Sequence, residues 1–144
     1  MAAPVYADTS FLVSLYVQDA NSSRAADAAR RTAPLFLTPL GLHELRNAIR
    51  LCAFRRQITT AQRERALQDM EQDMAAGVLH AAPLDWPKAL RHAESLGRQH
   101  TETLGSRGMD LLHVASALAL RARRFATFDD RQRRLAGLAG LDVT

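Results

Sequence analysis

Residues 5–16, VYADTSFLVSLY, constrain the fold more than any other stretch of the chain. Val5, Tyr6 and Ala7 are a short β-prone run that stops at Asp8. Thr9 and Ser10 are of the type that caps a helix start, and Phe11 to Tyr16 continue as one or two apolar helical turns. Strand, carboxylate and helix in that order form the unit of an open α/β sheet. Such sheets bind ligands at the carboxyl ends of their strands. Asp8 therefore stands where folds of this class do chemistry.

The rest of the chain repeats the unit. Asn21 or Ser22 starts a second helix, expected to run through Arg31, and residues 35–38 read as a buried strand. Pro39 and Gly41 open a helix expected over 42–56, with Leu42, Leu45, Ile49 and Cys52 as its apolar stripe and Glu44 beside it. Ile58, Thr59 and Thr60 introduce a fourth helix, ending near Ala75 or Ala76. Residues 78–82 suit a third strand. Asp85, Trp86 and Pro87 start a helix running to about Gln99, with Pro87 in the first turn, where its missing N–H costs nothing. A polar loop over 100–107 leads to a helix from Gly108, apolar nearly all round and so buried on several sides, ended by Arg123 and Arg124. Residues 125–128 are a fourth strand, 130–136 an arginine-rich helix and 141–143 an edge strand. Strands alternating with helices of ten or more residues predict an α/β fold: a mainly parallel sheet covered by helices on both faces, with right-handed crossovers.

Length and composition set the remaining bounds. A chain of 144 residues is enough for one domain, 1–144, with a real core. Residues 111–120 are the longest apolar run, broken by His113 and Ser116 and too short to span a bilayer, so no membrane association is expected. The first residues lack a basic segment and Asp8 interrupts their apolar run, so no signal peptide is expected. One cysteine, Cys52, excludes an internal disulfide and suits a reducing cytoplasm. The formal net charge is +4, and the cations are arginines apart from Lys88. Such a surface favours phosphate-bearing partners; a coding bias toward arginine and alanine explains it as well.

Four acids share a position in this pattern. Asp8 and Asp129 follow strands directly, Glu44 lies in the first turn of the helix after the second strand, and Asp110 opens the buried apolar helix. Taken singly, each is an ordinary cap or helix-dipole partner, worth about 0.3–1 kcal/mol. Gathered at one edge of a parallel sheet, they are something else. Two carboxylates ~4 Å apart repel by roughly 4 kcal/mol at an effective dielectric near ~20, more than helix dipoles offset. Such a cluster raises its own pKa values or holds a cation. Oxygen-only ligands select a hard divalent ion, Mg²⁺ or Mn²⁺, which activates water and stabilises charge on a phosphoryl oxygen.

The pieces YADTSFLVSLY, LGLHELRNAI, SRGMDLLHVASALAL and FATFDDRQRRLA resemble, in order and spacing, the PIN-domain ribonucleases of the VapC toxin type. The resemblance spans nearly the whole chain. It implies a three-layer α/β/α sandwich around a parallel sheet, and an acidic metal site of Asp8, Glu44, Asp110 and Asp129 with Ser10 as a polar neighbour of the first aspartate. It implies metal-dependent cleavage of RNA phosphodiesters leaving a 5′-phosphate, a cognate antitoxin of a type II toxin–antitoxin pair as partner, and a homodimeric toxin. Thr127-Phe128-Asp129 fits the family pattern better than the adjacent Asp130, which reads as the cap of the last helix.

Other motifs carry less. His43-Glu44 is not a zinc-protease motif, because its second histidine would fall at Asn47. His113 reads as a hydrogen-bonded core histidine, His80, His92 and His100 show no metal spacing, Cys52 reads as core and Trp86 as a packing anchor. No phosphate-binding glycine loop occurs. Arg46, Arg50 and Arg107 lie near the predicted acids, placed either to meet RNA phosphates or to pair with surface acids. Arg131, Arg133 and Arg134 form a basic end that solvent alone accounts for. Two other functions compete with the nuclease. One is a phosphatase using Asp8 as nucleophile, weakened by the missing second aspartate of a D-x-D motif and by the remoteness of Lys88. The other is a non-catalytic nucleic-acid or protein-binding module on the same fold.

Overall fold

A computed structural model describes residues 4–32 and 34–144. Five short strands form one sheet: β1 (Val5–Ala7), β2 (Leu35–Leu37), β3 (Leu79–Ala81), β4 (Arg124–Ala126) and β5 (Asp142–Val143). Their order is β3-β2-β1-β4-β5 and every pairing is parallel. Seven helices connect them among the described residues: α1 (Thr9–Tyr16), α2 (Ser22–Thr32), α3 (Pro39–Phe54), α4 (Thr60–Ala75), α5 (Trp86–Leu104), α6 (Gly108–Ala119) and α7 (Asp130–Leu138).

Strand alternation divides the apolar residues between two cores. Val5, Ala7, Leu35, Leu37 and Ala126 point to one face, where Phe11, Leu12, Leu45, Ile49, Ala66 and Met70 of α1, α3 and α4 cover them. Tyr6 and Phe125 point to the other, against Leu96, Val114, Ala115, Ala117 and Leu135 of α5, α6 and α7. Helices on both faces of a parallel sheet make the expected three-layer α/β/α sandwich. The chain winds from β1 outward to β3, then returns through α5 and α6 to β4 on the other side of β1. The sheet therefore has its topological switch between β1 and β4, and the crevice at their carboxyl ends is where this architecture binds ligands.

Several boundaries move from the sequence reading, each for a local reason. α3 starts at Pro39 because Thr38 leaves the strand to cap it, its Oγ1 accepting from the Gly41 N–H at 3.1 Å. Glu44 thus lies in the second helical turn. α5 continues through the polar residues 100–103 to Leu104, since Leu96 and Leu104 still face the second core. Gly105 stops it in the left-handed conformation, φ 66°, its N–H reaching the Thr101 carbonyl at 2.8 Å. α6 ends at Ala119, before Arg123, as Arg121 turns to φ 57°. β4 begins with Arg124 and ends at Ala126, which frees Thr127 and Phe128 to enter the site. Trp86 is not a buried anchor: it opens α5 at the surface, 44 % exposed.

Candidate active site

Asp8 is positioned by both strands that flank the switch. Its N–H donates to the Ala126 carbonyl at 3.1 Å, extending the β1–β4 ladder by one residue. Its side chain is buried, and Oδ1 caps α1 by accepting from the Phe11 N–H at 3.0 Å. The same oxygen accepts from Ser10 Oγ at 2.7 Å, and Oδ2 accepts from Thr127 Oγ1 at 2.6 Å. Burial pushes the Asp8 carboxyl above the ordinary aspartate range, against these hydrogen bonds. The residues after β4 close the other side. The Phe128 N–H donates to Ser10 Oγ at 3.0 Å, the Asp129 N–H to Thr127 Oγ1 at 3.0 Å, and the Gln132 N–H to Asp129 Oδ1 at 2.9 Å. Ser10 and Thr127 therefore tie two segments 117 residues apart into one rigid floor.

Glu44 reaches the same place from α3. Its Oε1 accepts from Thr9 Oγ1 at 2.8 Å and from His113 Nε2 of α6. Half burial pushes this carboxyl up, but the His113 and Thr9 contacts outweigh that and hold it below the ordinary glutamate range. An ionised carboxylate only accepts, so His113 donates from Nε2, and its Nδ1 meets the Tyr6 hydroxyl 2.7 Å away. Tyr6 is fully buried, stacked on Phe125 at 5.4 Å, and burial raises its pKa, so its hydroxyl stays protonated. A chain from β1 through α6 thus fixes one oxygen of Glu44. Asp110 sits at the third position of α6, where its Oδ2 accepts from the Arg107 N–H at 3.4 Å and from Arg107 Nε at 3.1 Å. Asp110 and, more weakly, Asp129 hold the Arg107 guanidinium pKa above its ordinary value.

All four predicted acids, with Ser10, line one cavity of about 570 Å³ at the carboxyl edge of the sheet. Asp130 lies outside it, exposed in the first turn of α7, and the cap of that helix is Asp129 rather than Asp130 as the sequence suggests. Among the described residues, no three His, Cys, Asp or Glu side chains converge on a single point as they stand. Each acid is instead held by a protein donor. The donor set nevertheless fits a hard divalent ion: it is all carboxylate, and among the described residues no hydrogen bond engages the second oxygen of Glu44, Asp110 or Asp129.

The sequence reading of the other candidates is corrected in part. His113 is a hydrogen-bonded core histidine as expected, but it also lines the cavity and holds Glu44. Tyr6, Thr9 and Thr127 all lie within the motifs that carry the resemblance, but nothing local marks them as partners of His113, Glu44 and Asp8. Arg46 pairs with Glu71 at 2.5 Å, away from the cavity. Arg133 is more than a solvated charge, since Nη2 donates to the Thr127 carbonyl at 3.0 Å and braces the floor. His43 and His80 are exposed, and Cys52 packs partly buried against the first core.

Comparison with known proteins places these features. The PIN domain family matches residues 5–138. No protein of curated function matches the sequence. Among solved structures, FitAcB from Neisseria gonorrhoeae superposes with a TM-score of 0.69 at 16 % identity, over 96 % of this chain and 95 % of that one. VapC20 of Mycobacterium tuberculosis, a toxin that cleaves the sarcin–ricin loop, superposes with a TM-score of 0.67 at 17 % identity, over 95 % of both chains. At such identities the likeness is one of fold.

Proposed function

This chain belongs to the PIN domain family, and from that premise we propose that it is a divalent-metal-dependent endoribonuclease, the toxin of a toxin–antitoxin pair. The observation that carries this reading is the convergence of Asp8, Glu44, Asp110 and Asp129, from four separate elements, on one cavity at the switch point of the sheet. These four residues would hold Mg²⁺ or Mn²⁺, which would supply an activated water and stabilise charge on a phosphoryl oxygen. The protein's own part is positioning. Ser10 and Thr127 fix Asp8, Gln132 fixes Asp129 through its main chain, and the Tyr6–His113 pair fixes Glu44, so three of the four carboxylates are oriented at the cavity by the protein itself. The product is a 5′-phosphate. An Asp8-nucleophile phosphatase is disfavoured, because the only lysine, Lys88, lies on α5 outside the cavity.

The likeness to FitAcB and VapC20 supports a cognate antitoxin as protein partner, and family practice a homodimer. No helix among the described residues is long and apolar enough to cross a membrane. A cytoplasmic site of action is part of the proposal. The test is cleavage of a mixed cellular RNA pool in Mg²⁺, Mn²⁺ or EDTA, with Asp8→Asn beside the wild type. Cleavage that needs metal and disappears in the variant supports the nuclease. RNA binding with no cleavage in any metal turns the reading to a binding module.

A further inference from the structure

Arg107 is the one lysine or arginine among the described residues on the wall of the acid cavity. Its guanidinium lies over Asp110: the arginine side chain is 69 % exposed and the aspartate only 14 %. The contact is a single Nε–H bond to Oδ2 at 3.1 Å, with the Arg107 N–H on the same oxygen at 3.4 Å. An ion pair this exposed sets a resting position without locking it. Two other ligands compete for its members. A divalent ion held by the four acids requires the Asp110 carboxylate. A strand of RNA entering the cavity brings phosphates, for which the flat guanidinium fork is well matched.

The charge on the wall decides the order of events. Four carboxylates against one guanidinium make a cavity that repels phosphate, and the one attractive group is drawn to Asp110. Neutralising the carboxylates with a divalent ion removes the repulsion and weakens the hold of Asp110 on Arg107 at the same time. We propose that Arg107 is a latch on this site: it occupies Asp110 while no divalent ion is bound, and transfers to an RNA phosphate once the carboxylates have taken one up. Metal loading and RNA capture are thereby coupled, and RNA is excluded from a site that is not ready to cut it. The inference rests on the metal-nuclease reading.

Calorimetric titration of Mn²⁺ into the wild type and Arg107→Ala tests the first half. Arg107 is exposed, so the variant keeps the fold. Removing the competing cation is expected to tighten Mn²⁺ binding by about two- to five-fold, the range of an exposed ion pair. Fluorescence anisotropy with a labelled single-stranded RNA oligomer, kept cold and checked intact by gel after each titration, tests the second half. In Mn²⁺ the log–log salt slope of the wild type should exceed that of the variant by about 0.7, one phosphate contact on a single strand, and in EDTA the two slopes should coincide. Equal or weaker Mn²⁺ binding by the variant overturns the latch while leaving the metal site standing. Tighter Mn²⁺ binding with equal RNA slopes in Mn²⁺ overturns the transfer to phosphate. No uptake of Mn²⁺ by either protein overturns the metal-nuclease reading and the latch with it.

Discussion

Replacing Asp8 by Asn should make the metal-free protein more stable while removing its activity. Asp8 is 3 % exposed, and burial holds its carboxyl pKa above the ordinary 3.8. A carboxyl whose folded pKa lies above its unfolded one weakens the fold as pH rises from the unfolded value through the folded value, and the penalty is constant above that. The wild type therefore bears at least as much of it at neutral pH as in acid. Asparagine keeps most of the surrounding bonds. Its Oδ1 accepts from Ser10 and from the Phe11 N–H, and it is as good a cap for α1 as aspartate. Its amide nitrogen faces Thr127 Oγ1, which must change from donor to acceptor and send its proton to Ser10 Oγ, 3.2 Å away. That rearrangement costs about 1 kcal/mol, less than the desolvation of a buried carboxylate, which costs several. The net gain should be about 0.5–2 kcal/mol, as is usual where a functional residue is replaced by a neutral one of the same shape. At about 2–4 °C per kcal/mol for a chain of this size, Tm rises by roughly 1–8 °C in EDTA at pH 7.5, and by less near pH 5. Saturating Mn²⁺ reverses the order: a ligand at about 100 times Kd adds about 2.7 kcal/mol to the wild type, and the variant has lost a carboxylate. Circular dichroism melts at the two pH values, with EDTA and with Mn²⁺, read all four numbers. A variant less stable than the wild type in EDTA at pH 7.5 refutes the burial argument, and an unchanged order in Mn²⁺ refutes the role of Asp8 in holding the ion.

Three further substitutions probe the surrounding structure. Tyr6→Phe keeps the stack on Phe125 but leaves buried His113 Nδ1 without its hydrogen-bond partner; urea unfolding should show a loss of about 1–3 kcal/mol, and a loss below about 0.5 kcal/mol would mean the hydroxyl is not holding the histidine. Asp129→Asn should lower metal-dependent cleavage by about 100-fold or more, whereas Asp130→Asn, at an exposed position outside the cavity, should stay within about two-fold; equal losses would place the fourth carboxylate wrongly.

The fold was legible in the sequence because local rules and the tertiary structure agree along most of it. Each strand is short and bounded by a cap residue or a turn, and every helix contributes apolar residues to one of the two cores. The boundaries that moved are those where a distant surface overrules local composition. Residues 100–103 are polar and read as loop, yet α5 persists because Leu104, one turn beyond them, has a place against the second core. Thr38 and Thr127 look like strand residues by propensity. They serve instead as a helix cap and as the hydroxyl that joins Asp8 to Asp129. Trp86 differs for the opposite reason: a large aromatic next to a proline suggests packing, but at the first position of α5 it stays 44 % exposed.

The site was legible in its acids and illegible in their supports. An aspartate that caps a helix and an aspartate that faces a ligand at a strand end answer to the same local pattern, and Asp8 and Asp129 are both at once. Asp110 likewise joins the cavity and the first-turn box of α6. No local rule separates the two roles, since a helix N-terminus favours a carboxylate on electrostatic grounds in either case. What separates them is company, and company is long-range. The hydroxyl on Asp8 comes from 119 residues away, and the imidazole on Glu44 from 69. His113 shows the consequence most clearly. Judged by its own helix it is a polar residue in an apolar stripe, and a hydrogen-bonded core histidine is the right inference. Only the third dimension supplies Tyr6 on one nitrogen and Glu44 on the other, turning a tolerated polar residue into the strut that aims a carboxylate into the cavity.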